Sequence, residues 1–224
     1  GINERKYAWM DEGWATMLPF DFQTENAPGY DPRSRNAQNY SDFAGKDTDI
    51  PLMVPSYHLK SPSYRTASYR KPGAAYEFLR QFLGDEIFLK AFHEYVNRWN
   101  GKHPVPYDFF FSFDNAVGEN LDWFWKPWFF ENKYPDLSIE NAKQENGSVN
   151  CEIKNIGGLP LPIIFKAYFE DGSSEIVFEK NSSAWKTLND TVEVNILQNK
   201  KIIKLELGTT QIPDTDKSNN TINM

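Results

Sequence analysis

The sequence predicts an α+β multidomain chain, a helical part followed by a small antiparallel β-sandwich. Three observations predict it. Apolar residues recur at helical spacing before Tyr134-Pro135-Asp136 and at every second position after about Leu137. All seven arginines and six of the seven tryptophans lie before Asp136. Strong turn dipeptides stand between the alternating runs of the later part, where Asn146-Gly147 and Asp171-Gly172 can supply the positive φ values of tight hairpins. The expected division is 1–136 helical, 137–213 sandwich and 214–224 a polar tail, poorly ordered at its end.

Each helical element has a signal. Trp9-Met10-Asp11-Glu12-Gly13-Trp14-Ala15-Thr16, read as a helix, sets Glu12 on one face with Ala8 and Thr16 and flanks it with Trp9 and Met10. Residues 21–62 carry Pro28, Gly29, Pro32, Gly45, Pro51, Pro55 and Pro62 with little periodicity, which predicts a long irregular connection holding short helices at most. Loops of that length in a compact domain are often functional. Tyr76, Leu79 and Leu83 form one stripe of a helix that starts near Gly73. Gly84-Asp85 then provides a stop and a new N-cap before Ile87, Phe88, Ala91, Phe92, Tyr95, Val96 and Trp99. Two more helices are expected over 106–117 and 121–131, broken by Gly118-Glu119-Asn120. An aromatic share of 16% most simply fills the core between these helices.

In the later part Val149, Cys151 and Ile153 alternate with polar residues. So do Ile163, Phe165, Ala167 and Phe169, then Val192, Val194 and Ile196, then Ile203, Leu205 and Leu207. Six or seven half-buried strands in this span suggest the sandwich.

Composition excludes several functions. With 24 basic and 31 acidic residues and a net charge of −7, nothing favours the phosphate backbone of nucleic acid. The most apolar stretch, 108–130, is interrupted by Asp114, Glu119, Asp122 and Lys126, so no membrane span is expected. One cysteine, Cys151, rules out an internal disulfide or a site of several thiolates, and the three histidines, His58, His93 and His103, are dispersed.

Two segments can carry chemistry. On a helix, Glu12 would be a carboxylate held in place by bulky neighbours, as a metal ligand must be. The plain alternative is an exposed acidic pair with Asp11. Tyr69, in Ser68-Tyr69-Arg70-Lys71-Pro72-Gly73, could aim its hydroxyl at developing negative charge in a cleft, or simply pack. His93-Glu94-Tyr95-Val96-Asn97 imitates a zinc motif but ends in asparagine, and reads as a histidine on a helix surface. Asp214-x-Asp216-x-x-Asn219 is faintly like a calcium loop, without its central glycine and distal glutamate.

Trp9-Met10-Asp11-Glu12-Gly13-Trp14-Ala15 resembles the Trp-x-Asn/Asp-Glu-Gly-aromatic-Ala segment of the aminopeptidase-N-like family of gluzincin zinc metallopeptidases. Tyr69-Arg70-Lys71-Pro72 resembles that family's Tyr-x-Lys-Gly segment, with Pro72 and Gly73 departing from the usual glycine and alanine. The similarity extends through Gly84 to Phe129 and covers most of 3–136. It implies that the helical part is the C-terminal portion of a gluzincin catalytic domain and that the strands form the small sandwich that follows it. It further implies Glu12 as third zinc ligand, Tyr69 as stabiliser of the tetrahedral transition state, and Asp11 as a candidate for supporting the ligand.

The family's HExxH helix ends about 19 residues before the third ligand, ahead of the first residue here. The expectation is therefore a fragment of a zinc aminopeptidase that acts on peptide N-termini. Its partners would be an upstream HExxH-containing part and a peptide substrate. Zinc belongs to the intact enzyme, and the isolated chain should be inactive without tightly bound zinc. The rivals are a peptidase-like scaffold that has lost its histidines and, on composition alone, carbohydrate binding through aromatics. Localisation is undetermined, and an extracytoplasmic place, periplasmic or secreted, is compatible with the resemblance.

Overall fold

A computed structural model describes residues 2–145 and 147–224. The helical elements are α1 (Trp9–Met17), α2 (Phe20–Asn26), α3 (Pro32–Ser41), α4 (Ser63–Arg65), α5 (Lys71–Leu83), α6 (Asp85–Trp99), α7 (Pro106–Val117) and α8 (Asp122–Trp125). A π-helical turn, Thr66–Arg70, joins α4 to α5 without interruption, and a second, Lys126–Phe130, extends α8. The aromatic residues meet where α1, α5, α6, α7 and α8 converge. Phe109 of α7 lies at the centre, its ring within 6.1 Å of Trp9, 5.8 Å of Trp14, 5.7 Å of Tyr76, 5.4 Å of Tyr95 and 5.5 Å of Trp125. Trp14 and Tyr76 stack in parallel at 3.7 Å, fixing α1 against α5.

The connection over 21–62 is more regular than its proline content suggests, because it holds α2 and α3. Asp31 caps α3, its Oδ1 accepting from Ser34 N–H, and Pro32 occupies the first turn, where a missing N–H costs no hydrogen bond. Arg33 links Asp21 and Glu77 at 2.5 and 2.7 Å, while Arg80 links Asp21 and Asp85 at 2.7 Å each. These four contacts tie α2, α3, α5 and α6 together. Asp85 is thus an ion-pair partner of Arg80, not the side-chain cap expected of it.

The strands are β1 (Leu137–Glu145), β2 (Ser148–Asn155), β3 (Ile163–Phe169), β4 (Ser174–Lys180), β5 (Thr191–Leu197), β6 (Ile202–Leu207) and β7 (Thr221–Asn223). They form two antiparallel sheets, ordered β1-β2-β5 and β4-β3-β6-β7. Val149, Cys151 and Ile153 of one sheet, and Phe165, Ala167, Leu205 and Leu207 of the other, are buried as their alternation requires. Ile203 breaks the expected pattern. It is exposed while Ile202 is buried, because the β3–β6 register shifts between Tyr168 and Phe169, and a one-residue slip reverses the face. The hairpins stand where expected, with Gly147 and Gly172 at φ +79° and +82°, while Asn146 lies outside the described residues.

The segment after Ile212 is a structural element, not a loose tail. Thr221–Asn223 pairs with β6, and Asp214 and Asn220 are buried. Asp214 Oδ2 accepts from Leu137 N–H and its own N–H donates to Ser41 Oγ, while Asp136 accepts from Thr215 Oγ1 and Asn219 Nδ2. The segment therefore clasps the point where helices give way to strands. The calcium-like carboxylates are occupied in this turn, Asp214 Oδ1 by Asp216 N–H and Asp216 Oδ1 by Ser218 N–H.

Candidate active site

Helix α1 buries Trp9, Met10, Gly13, Trp14 and Met17, which leaves its opposite side for Asp11, Glu12, Ala15 and Thr16. Its start is held by Ala8 N–H donating to the buried Ser56 Oγ at 3.0 Å. Thr16 Oγ1 donates to the Glu12 carbonyl at 2.7 Å, so the segment that carries the glutamate is fixed on both sides.

Two glycines set how closely α1 approaches α5. A Cβ at Gly13 would lie 2.7 Å from Tyr76 Cε2 and 2.8 Å from Pro72 Cβ, and one at Gly73 would lie 2.7 Å from Thr16 Cγ2. The helices cross through both absences. Without them the backbones would separate, and Glu12 would move away from whatever the other helix presents.

What that helix presents is Tyr69. The tyrosine does not stand at a helix entrance, as the sequence suggests, but in the π turn within a helix that begins at Ser63. Lys71 N–H donates to Thr66 C=O, five residues back. The cause is Pro72. A proline inside an α-helix has no N–H to donate and presses on the carbonyl four residues before it, here that of Ser68. Widening the preceding turn relieves the pressure without ending the helix. In such a turn side chains five apart lie above one another, and Tyr64 accordingly meets Tyr69 edge to face at 6.4 Å.

Tyr69 Oη donates to Glu12 Oε1 at 2.6 Å, joining residues 57 apart in sequence. Both side chains are half-buried. This hydrogen bond to a carboxylate is the main reason the phenol pKa is pushed up to about 12, with burial and the negative charges nearby adding to it. At neutral pH Tyr69 is therefore a neutral hydrogen-bond donor. Asp11, expected to support Glu12, is exposed and its carboxylate makes no hydrogen bond among the described residues; it acts on Tyr69 only through its charge.

Directly after the π turn, Lys71 is fully buried and pairs with Asp49 Oδ1 at 3.0 Å, while also donating to the Lys133 carbonyl at 3.0 Å. Asp49 accepts as well from Gly45 N–H. Burial lowers the lysine pKa and the aspartate opposes the shift. This pair anchors the base of the tyrosine turn to the 42–51 connection and to the start of the strands. In the sequence Lys71 stands in the tyrosine segment with no sign of a partner, and Asp49 lies in the proline-rich connection, where no pattern marks it; a lysine at the start of a helix with a buried stripe is the one signal available. His93 is exposed on α6.

As a metal site the arrangement is partial. Glu12 offers one hard oxygen donor on an accessible face, yet no group of three or more His, Cys, Asp or Glu side chains converges among the described residues. These residues fit one corner of a four-coordinate zinc site and not the whole. No helix here is long and apolar enough to cross a membrane among the described residues.

Residues 3–128 match the model of the Peptidase family M1 domain. No curated protein matches by sequence. Among solved structures, the chain is similar to Legionella pneumophila aminopeptidase A, whose crystal structure is in complex with aspartic acid. The TM-score is 0.68 and the identity 17%, over 95% of this chain and 24% of that one. The chain thus spans about a quarter of that protein's length, and the likeness is one of fold.

Proposed function

From the premise that this chain belongs to peptidase family M1, we propose that it is part of a zinc-dependent aminopeptidase that removes N-terminal residues from peptides. One observation carries the reading: the 2.6 Å hydrogen bond that sets a tyrosine hydroxyl on an accessible glutamate whose carboxylate has no other partner among the described residues. Glu12 would hold the metal together with two histidines supplied by an HExxH segment, which this sequence does not contain. When bound, zinc supplies Lewis-acid polarisation of a carbonyl and activates water.

The chain's own residues have distinct tasks. Glu12 is immobilised by the aromatic face of α1 and by the Gly13 and Gly73 crossing. Tyr69 would donate its hydrogen to oxygen that becomes negative as the peptide carbonyl turns tetrahedral. To do so the hydroxyl rotates away from Glu12, which accepts its hydrogen at rest. The open face beside both side chains is where the peptide would lie.

The test uses the peptidase that joins this chain to an HExxH segment. Glu12→Gln should reduce retained zinc, whereas Tyr69→Phe should lower kcat about 10²- to 10³-fold at unchanged zinc content, the range for losing one oxyanion donor. A silent Tyr69→Phe would remove its assigned role. The 224 residues alone should neither bind zinc tightly nor hydrolyse peptides; stoichiometric zinc with peptidase activity in this chain would overturn that statement.

A further inference from the structure

The π turn that places Tyr64 over Tyr69 has a second column one residue on, Arg65 and Arg70, again five apart. Among the described residues Arg70 has no ion pair and its guanidinium no hydrogen bond, and its Nη1 is buried without a partner. The group is nevertheless held. Its Cζ lies over the Phe43 ring, 4.5 Å from the centroid, and its backbone carbonyl accepts from Asn36 Nδ2 at 3.1 Å. Burial and the positive charge of Arg65 both work against its charge, and only Asp42, exposed at the end of α3, favours it. Arg33 and Arg80, by contrast, each grip two carboxylates in the same helical half. A buried donor left unpaired on a positioned guanidinium is costly unless something completes it.

We infer that Arg70, with Arg65 beside it, forms a carboxylate subsite next to Tyr69 that holds an acidic group of the bound peptide. The inference rests on the peptidase reading and adds a substrate preference to it. A guanidinium offers parallel N–H donors in the geometry of a carboxylate, the Phe43 ring beneath it restrains its position, and the column of two positive charges selects a negative group. The carboxylate could be an acidic side chain or the peptide's own C-terminus. Both present the same chemistry.

Three tripeptides separate these sources: Ala-Glu-Ala amide, Ala-Gln-Ala with a free C-terminus, and Ala-Gln-Ala amide. Each is titrated into this chain with nitrogen-labelled arginine and followed by NMR at the guanidinium of Arg70. A side-chain site responds to the first peptide, a C-terminal site to the second, and neither to the third. Arg70→Gln should weaken the responding peptide tenfold or more, and Arg70→Lys should recover only part of it. In the assembled peptidase, Arg70→Gln should lower the ratio of kcat/KM for the responding peptide over the neutral amide at least tenfold. Equal shifts with all three peptides, no shift with any, or an unchanged ratio would overturn the subsite. Failure of the assembled protein to cleave any peptide would instead overturn the peptidase reading, while the titration of this chain still decides whether Arg70 binds a carboxylate.

Discussion

Glu12 and Tyr69 depend on each other in a way that a spectrum can read. Because the hydrogen bond to the carboxylate is the largest cause of the raised phenol pKa, Glu12→Gln in this chain should bring Tyr69 from about 12 down toward its ordinary value of 10.0. Carbon NMR of labelled tyrosine across an alkaline titration measures it; an unmoved value would mean that burial, not Glu12, controls the phenol. Lys71 and Asp49 make a different prediction. Asp49→Ala leaves a buried ammonium without its partner and should cost about 3–5 kcal/mol, seen in denaturant unfolding, whereas replacing both members by apolar residues of similar volume should cost far less. If single and double replacements are equal, the pair is not coupled.

At the scale of elements, the crossing of α1 over α5 is the device that makes the site. Gly13→Ala forces a methyl against Tyr76 and Pro72 at distances well below contact, and should destabilise the chain by about 1–3 kcal/mol as overpacking does. Its sharper signature is geometric. The helices must part, so the Tyr69 phenol should lose part of its raised pKa although neither Glu12 nor Tyr69 has changed. Thermal unfolding together with the tyrosine titration checks both effects, and a destabilised variant with an unaltered Tyr69 would show that the crossing does not set the site. The widened turn before Pro72 belongs to this scale too. It converts an ordinary helix into one that stacks Tyr64 on Tyr69 and sets Arg65 with Arg70.

The whole molecule is fastened where helices meet strands, and that fastening should respond to pH. Burial is the main cause that raises the Asp214 pKa to about 6, against the opposing hydrogen bonds from Asn220, Leu137 and Asp216, and Asp136 is raised for the same first reason. The folded chain thus keeps a proton on Asp214 over a range where the unfolded chain, near 3.8, has released it. The stability from this proton is complete below about pH 4 and is lost as pH rises through about 6. Between pH 4.5 and 7, Asp214→Asn should therefore gain on the wild type by about 2 kcal/mol, whatever the offset between them. A stability difference independent of pH would exclude Asp214 as the group responsible.

Residue order alone is enough for the helix-to-strand order, the hairpin positions, the aromatic core and the segments that carry Glu12 and Tyr69. All of these rest on local periodicity, on turn chemistry or on a short run of residue types. It placed α5 to within a few residues because Tyr76, Leu79 and Leu83 share one stripe, but it could not see that the helix starts at Ser63, since a proline ordinarily marks a beginning and here widens a turn. It allowed short helices in the proline-rich connection but could not bound α2 and α3, whose packing outweighs weak periodicity, nor find the clasp after Ile212, whose polar residues are ordered by partners far along the chain. Long-range packing sets the meeting of Glu12 with Tyr69, the pairing of Lys71 with Asp49 and the lack, among the described residues, of any ion pair on Arg70. Each of these is a distance between residues remote in sequence or a balance of burial against charge, and neither is written in the spacing of a single chain.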